Sequence, residues 1–113
     1  MSDIKEINVQ NPWFDYIKSG EKRIEGRLNK GTFKTFEKGD KIKIKNNDSY
    51  VIVRIKKIIK YNSFEEYLSQ EGLKRTLPGI KTISEGVDIY HKFYTKEQEN
   101  EFGILAISIK IIR

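Results

Sequence analysis

The residues best suited to chemistry lie in one short segment, Gly20-Glu21-Lys22-Arg23-Ile24-Glu25-Gly26-Arg27. The planar guanidinium of Arg27 can hold a phosphate or a carboxylate through two parallel hydrogen bonds, and Lys22 supplies a movable cation, or a base if it is desolvated. Glu25 can pair with either of them, and Gly26 admits close approach of the backbone, so the segment can line a polar cleft. The simpler interpretation is a solvated strand with cross-strand ion pairs, and the residue pattern alone favours it.

Two further titratable residues stand outside this segment. Glu71 comes at the end of a predicted helix, where a buried carboxyl group could serve in acid–base work, although such a residue is more often exposed. His91 is the only histidine and has no serine or cysteine partner motif, so a packed or surface position is favoured over catalysis.

The composition excludes several classes of site. The chain has no cysteine and one histidine, which excludes disulfides, thiolate catalysis and zinc sites built from these residues. It also lacks a phosphate-binding glycine loop, a dinucleotide fingerprint and a nucleophile elbow. We therefore expect neither a metal nor a cofactor.

The charge is concentrated in the first half of the chain. The 113 residues carry a formal net charge of +6, yet residues 1–60 hold 15 Lys and Arg against 8 Asp and Glu. Such a basic excess is typical of proteins that bind nucleic acid or other anions, and equally of lysine-rich solvated faces. No run of about 20 apolar residues could span a membrane and no signal peptide is evident, so we expect a cytoplasmic protein without a membrane partner.

The pattern of apolar residues predicts the elements that position these side chains. A helix is predicted over 12–19, and a half-exposed strand over 22–28 with Glu25 and Arg27 on its outward face. A loop over 31–39 leads to a hairpin of strands 40–45 and 50–61. Short helices follow after caps at Ser63, Ser84 and Thr95, and an apolar strand over 104–112 ends the chain.

This order of elements predicts an α+β fold in a single domain, 1–113. The last strand is apolar on both faces and should therefore lie inside a closed sheet and not at its edge. A small barrel with inserted helices fits the pattern, whereas a doubly wound parallel sheet does not.

The combination of motifs resembles a known family, the ASCH domains of the PUA-like superfamily. In the first half, the similar segments are Pro12-Trp13-Phe14, Ser19-Gly20, Lys22, Ile24-Glu25-Gly26-Arg27-Leu28 and Lys38-Gly39-Asp40. In the second half, which is similar to a small stand-alone branch, they are Tyr61-Asn62-Ser63-Phe64, Glu71-Gly72-Leu73, Leu77-Pro78-Gly79, Glu85-Gly86-Val87, Phe93-Tyr94 and Phe102-Gly103-Ile104-Leu105-Ala106-Ile107.

The resemblance implies a β pseudobarrel of about five or six strands with short peripheral helices. It also implies a cleft lined by the Lys22-to-Arg27 segment and by the helix that carries Glu71. One branch of the family hydrolyses N4-acetylcytidine with a lysine, a threonine and a glutamate; Lys22 and Glu71 match two of these residues, but Glu25 occupies the threonine position.

Three hypotheses of function follow. The first is an RNA-binding module, acting near translation or transcription, in which Lys22 and Arg27 contact phosphate or a base edge and Glu25 accepts from an exocyclic amine. Trp13 and Glu71 complete its predicted binding set, and its partner is RNA or a nucleotide or nucleoside. The second is a small amidohydrolase with Lys22, Glu25 and Glu71 as catalytic residues. The third is a protein-interaction adaptor; in each case a monomer is favoured. We also predict that Lys22, Glu25, Arg27 and Glu71 converge in one cleft, which Lys22 can join only if the strand begins irregularly.

Overall fold

A computed structural model describes residues 4–112, so residues 1–3 and 113 of the predicted domain lie outside the described part. Within this range the elements are β1 (Lys5–Asn8), α1 (Trp13–Ser19), β2 (Ile24–Leu28), a 3-10 helix (Gly31–Thr35), β3 (Lys41–Asn46), β4 (Ser49–Tyr61), α2 (Phe64–Glu71), α3 (Leu73–Thr76), α4 (Ile83–His91), α5 (Lys96–Phe102) and β5 (Ile104–Ile112). No helix in residues 4–112 is long and apolar enough to cross a membrane.

The described strands form one curled sheet in the order β1-β3-β4-β5-β2. β1 pairs in parallel with β3, and the other neighbours are antiparallel. The prediction of an α+β pseudobarrel is confirmed, and β5 lies inside the sheet as its apolar sequence requires. β1 and β2 are the two edges, and the Arg27 side chain, which donates to the backbone carbonyl of Asn8, bridges the seam between them.

Apolar clusters pack on both faces of the sheet. One face packs against α1 in a cluster that includes Phe14, Ile42 and Val53. The other packs against α2 and α4 in a cluster that includes Tyr67 and Tyr90. Strand β5 supplies both clusters, with Leu105, Ile107 and Ile109 on the first face and Ile104 and Ala106 on the second. This explains why its sequence does not alternate between apolar and polar residues.

An irregularity in β4 transfers this long strand from one cluster to the other. The register with β5 shifts between Ile55 and Lys57, which leaves Lys56 as an extra residue. Because an extra residue reverses the alternation of side chains, Ile55 and Ile58 both face the first cluster, while Ile59 joins the second. The bulge thus lets one strand contribute apolar side chains to both clusters.

Several local predictions need correction. β1 was not predicted, because four residues are too few for a clear alternation. Helix α4 is capped by Thr82, whose side chain accepts from the backbone N–H of Glu85, and not by Ser84. The segment 31–39, predicted as a loop, contains the 3-10 helix. Between the predicted helices lies the single turn α3.

Strand β2 differs most from its prediction. It begins at Ile24 and not at Lys22, and four of its five residues are buried. The predicted half-exposed strand is therefore wrong, because helix α2 covers one face of β2 and the seam encloses the other. Only Arg27 is partly exposed.

Gly26 allows helix α2 to pack directly on β2. A Cβ atom built at Gly26 would lie 2.6 Å from Cζ of Tyr67, far inside van der Waals contact. Tyr67 in turn forms a 3.0 Å hydrogen bond between its hydroxyl and that of Tyr90. The absence of a side chain at one strand position therefore sets the distance between the sheet and its helical layer.

We predict that Gly26→Ala lowers the free energy of unfolding by about 1–3 kcal/mol, since the added methyl group must displace the Tyr67 ring. Urea denaturation measures the change. In a Tyr67→Ala background most of the cost should disappear, because the clashing ring is gone. An equal cost in both backgrounds would contradict this explanation.

Candidate functional site

A pocket of about 210 Å³ lies at the seam between the two edge strands. We call it the seam pocket. Its lining residues come from the end of β1, from β2, from the start of α1 and from the end of α4. They are Asn8, Val9, Gln10, Trp13, Lys22, Glu25, Gly26, Arg27, Leu77, Ile89, Tyr90, Phe93 and Tyr94.

Lys22 forms the floor of this pocket and is fully engaged. Its side chain is 1% exposed. Nζ donates to the backbone carbonyls of Ile24 at 2.7 Å and Thr76 at 2.5 Å, and lies 3.3 Å from Oε1 of Glu25. An ammonium group has three N–H donors, so these three acceptors match its capacity. Lys22 lies two residues before Ile24, the first residue of β2, so it is outside the regular strand and is not bound by its alternation.

Glu25 and Arg27 form a fork across the face of β2. Oε2 of Glu25 accepts from Nε of Arg27 at 2.9 Å and lies 2.8 Å from Nη2. The same Nη2 donates to the backbone carbonyl of Asn8 at 2.7 Å, which ties β2 to β1 across the seam. The guanidinium carbon also lies 5.0 Å from the centre of the Phe33 ring. Arg27 is therefore both a pocket residue and the side chain that joins the two edges of the sheet.

The two cations hold the Glu25 carboxylate in the ionised state. Burial alone would raise the pKa of Glu25, but the Arg27 guanidinium and the Lys22 ammonium outweigh burial and place that pKa below its ordinary value. Burial lowers the pKa of Lys22, and the Glu25 carboxylate opposes this shift. The carboxylate is thus a permanent acceptor at neutral pH.

Aromatic side chains make the walls of the seam pocket. Trp13 contributes from α1, and Tyr90, Phe93 and Tyr94 contribute from the end of α4 and the residues that follow it. Phe93 is 52% exposed, whereas Tyr90 is buried. Burial raises the pKa of Tyr90, so its hydroxyl stays neutral and can donate or accept.

Glu71 does not join the group. Its carboxylate accepts from the Tyr61 hydroxyl through Oε2 and lies 3.2 Å from Nη2 of Arg75 through Oε1. Burial and the hydrogen bond to Glu71 raise the pKa of Tyr61 to about 12. Glu71 is buried, whereas a glutamate at the end of a helix is more often exposed, and it is not among the lining residues of the seam pocket. The predicted convergence therefore holds for Lys22, Glu25 and Arg27, and the expected place of Glu71 is corrected: it holds β4, α2 and α3 together.

His91 has a structural environment, as its sequence context favoured. Its Nε2 lies 2.8 Å from Oε1 of Glu99, and Oε2 of that residue accepts from the backbone N–H of Phe64. Over residues 4–112 there is no group of three or more His, Asp or Glu side chains able to hold a metal ion.

The sequence left parts of this site unidentified. Asn8 and Gln10 were missed because β1 was missed, although Ile7 and Val9 alternate with polar residues around them. The aromatic residues of 90–94 were recognised as helical, but which of them face a ligand depends on how α4 meets the seam. No local pattern carries that information.

The geometry supports recognition of a small planar, polar ligand. A carboxylate has about four lone-pair sites, and Glu25 uses three of them for Lys22 and Arg27. Arg27 uses Nε and Nη2 for Glu25 and for the Asn8 carbonyl, and the Tyr94 hydroxyl lies beside the same guanidinium, so donors and an acceptor stand together at the pocket. An acceptor next to a donor, between aromatic walls, matches the edge and faces of a heterocyclic base.

Comparison with known proteins identifies relatives of the whole chain. The family model for the ASCH domain matches residues 7–113. The crystal structure of hypothetical protein PH0355 is 38% identical, with a TM-score of 0.91, over 97% of this chain and 100% of that one. The solution NMR structure of protein PF0455 from Pyrococcus furiosus is also 38% identical, with a TM-score of 0.82, over 98% of this chain and 99% of that one. No curated protein matches the chain.

We predict that Glu25→Gln destabilises the protein by about 3 kcal/mol at neutral pH, because it leaves Lys22 and Arg27 without their common counter-charge. The folded-state pKa of Glu25 is depressed, so its contribution is present above the unfolded-state pKa of about 4.3 and is lost as pH falls through the folded-state pKa. Urea denaturation at neutral and acidic pH should show the difference between variant and wild type shrinking on acidification.

The exposed Glu101→Gln is the matched control and should change stability little at either pH. A Glu25→Gln variant as stable as this control at neutral pH would show that the buried cluster is not a stabilising unit.

Proposed function

This chain belongs to the ASCH domain family, and from that premise we propose that it is an RNA-binding module whose seam pocket receives one unpaired base. The observation that carries the proposal is the ion pair of the buried Glu25 and the half-buried Arg27, which places an acceptor and a donor side by side in the lining of an aromatic pocket. Charged side chains are seldom buried unless they are paired or bind a ligand. Glu25 and Arg27 are paired with each other, and both also line the pocket, where a ligand can reach them.

The hydrogen-bonding pattern favours cytosine. A carboxylate accepts from the exocyclic N4 amine of cytosine, and an arginine donates to ring nitrogen or carbonyl acceptors. Glu25 and Arg27 supply this acceptor and donor side by side. Uracil carries a carbonyl oxygen where cytosine carries the amine, so it would place one acceptor against another. We therefore expect the pocket to discriminate between the two pyrimidines.

The size and walls of the pocket support the same ligand. Its volume of about 210 Å³ is below the roughly 300–1,000 Å³ of pockets for drug-sized molecules. A single base is correspondingly small. Unpaired bases in RNA are commonly stacked on aromatic side chains, and the half-buried Trp13 and exposed Phe93 offer such surfaces.

Hydrolysis of N4-acetylcytidine, the alternative activity, finds less support in the contacts. It would require a nucleophile or activated water together with a proton donor for the leaving amine. Glu25 stands where that branch of the family has a threonine, Nζ of Lys22 already meets three acceptors, and Glu71 lies outside the lining. Binding without chemistry is the function that these contacts support best.

We predict that cytidine binds to the protein about tenfold more tightly than uridine, since each correct pair of base contacts contributes about 1–3 kcal/mol. Titration calorimetry or NMR chemical-shift titration measures both affinities. Arg27→Lys should weaken cytidine binding by at least the same factor, because lysine keeps the charge but loses the planar fork.

Arg75→Lys is the matched control, since Arg75 pairs with Glu71 outside the pocket, and it should bind cytidine like the wild type. Equal affinity for cytidine and uridine, or equal losses in the two arginine variants, would contradict base recognition by Glu25 and Arg27. Release of acetate from N4-acetylcytidine by the wild type would overturn the preference for binding over hydrolysis.

A further inference from the structure

A row of like charges crosses three neighbouring strands on the outer side of the sheet. Lys41 on β3 is in register with Arg54 on β4, and Arg54 is in register with Lys110 on β5. All three residues are exposed. Like charges placed directly opposite one another on neighbouring strands destabilise a sheet, so this row is unfavourable for folding alone.

Over residues 4–112 these three charges differ from the neighbouring lysines in having no acidic partner. Lys43 and Lys45 both lie within 4 Å of the Glu6 carboxylate. In the described residues, no ion pair involves Lys41, Arg54 or Lys110; Arg54 donates from Nη1 to the backbone carbonyl of Gly39 at 2.8 Å. Strand β4 contains four cations and no acidic residue. Within residues 4–112, no carboxylate forms an ion pair with the three cations of this row.

The row continues toward the seam pocket. Lys56, the extra residue of the bulge, is exposed next to the row. A second cavity, of about 350 Å³, is lined by Lys56 and Lys110 and also by Lys22, which is a lining residue of the seam pocket as well. We define Lys41, Arg54, Lys56 and Lys110 as the basic face. Lys110 of the basic face and Lys22 of the seam pocket thus line the same second cavity.

An aromatic side chain extends the same side of the sheet. Tyr50 is 55% exposed and lies opposite Lys45 in the β3–β4 hairpin. The ammonium group of Lys43 is 4.4 Å from the centre of its ring. Cations interleaved with an exposed aromatic ring are the combination that binds unpaired nucleic acid, the cations to phosphates and the ring to a base.

We propose that the basic face is a second RNA-contacting surface, which holds the phosphodiester backbone of a single strand while Tyr50 stacks on one of its bases. The inference rests on the proposed function, because it concerns the same RNA whose unpaired base enters the seam pocket. Its support is independent of the pocket: cross-strand repulsion in the free protein is relieved when phosphates lie between the cations.

The test compares two triple variants that remove equal charge. The face variant is Lys41→Gln/Lys56→Gln/Lys110→Gln, and the matched control is Lys74→Gln/Lys81→Gln/Lys92→Gln. All six lysines are exposed. Binding of a fluorescein-labelled short oligocytidine is followed by anisotropy between about 50 and 200 mM KCl. Each lost phosphate contact lowers the salt slope by about 0.7 for a single strand, so the face variant should lose about 2 from the slope.

We expect the face variant to bind the oligocytidine at least about tenfold more weakly at the lowest salt, whereas the control retains the wild-type slope. Both variants should bind free cytidine like the wild type, because neither alters the seam pocket. Equal losses of slope in the two variants would reduce the effect to net charge and overturn the inference. If the wild type binds free cytidine but shows no salt-dependent affinity for the oligonucleotide, the inference fails while the pocket proposal stands.

Anionic vesicles of phosphatidylserine and phosphatidylcholine provide the remaining arm. Loss of vesicle binding in the face variant, with oligonucleotide binding unchanged, would assign the face to a membrane surface and overturn the RNA assignment. The wild type could also bind cytidine and uridine equally while the two triple variants still differ in salt slope. That result would count against the seam pocket alone.

Discussion

The burial of three charged groups at the seam is the constraint on which the rest of this structure depends. Lys22, Glu25 and Arg27 leave water together, and the sequence around them is arranged so that each retains partners. The backbone carbonyls of Ile24, Thr76 and Asn8 supply the acceptors that the single carboxylate cannot. These carbonyls belong to β2, α3 and β1, so satisfying the charges also fixes where three separate segments of the chain lie. A hydrophobic cluster of similar volume could hold the fold together, but it would offer a ligand no polar contact.

The sheet has a part that is covered by helices and a part that carries cations. Helices α2 and α4 cover the part near β5 and β2, and Gly26 brings them close enough for Tyr90 to reach the seam. The outward side chains of β3 and of β4 up to the bulge include the exposed Lys41 and Arg54 and the half-buried Lys43 and Lys45. The bulge at Lys56 connects these regions, because it turns the apolar residues of β4 from one cluster to the other at the place where the cations are densest.

The sequence was most informative where one element alone determines the outcome. The β3–β4 hairpin, the cap of α2 at Ser63, the cap of α5 at Thr95 and the interior position of β5 follow from local turn chemistry and hydropathy, and the structure confirms them. The pairing of Glu25 with Arg27 was accessible because the two residues share one face of a strand. The absence of Glu71 from the pocket could not be predicted. Its carboxylate is held by Tyr61 and Arg75, and alternation patterns do not describe contacts between a strand and a helix. The burial of β2 escaped prediction for the same reason: charges in a strand suggest solvent unless the covering segments are known.

The position of β1 has a consequence for dynamics. This four-residue strand is an edge whose backbone pairs with β3, and the Arg27–Asn8 bond links it to the opposite edge. Short edge elements open locally at a lower free-energy cost than the centre of a sheet. A ligand seated between β1 and β2 binds only while β1 is docked, so binding shifts that local equilibrium by mass action. Ligand binding at the seam should therefore slow the hydrogen exchange of the backbone amides of β1, although the ligand touches this strand only at its end.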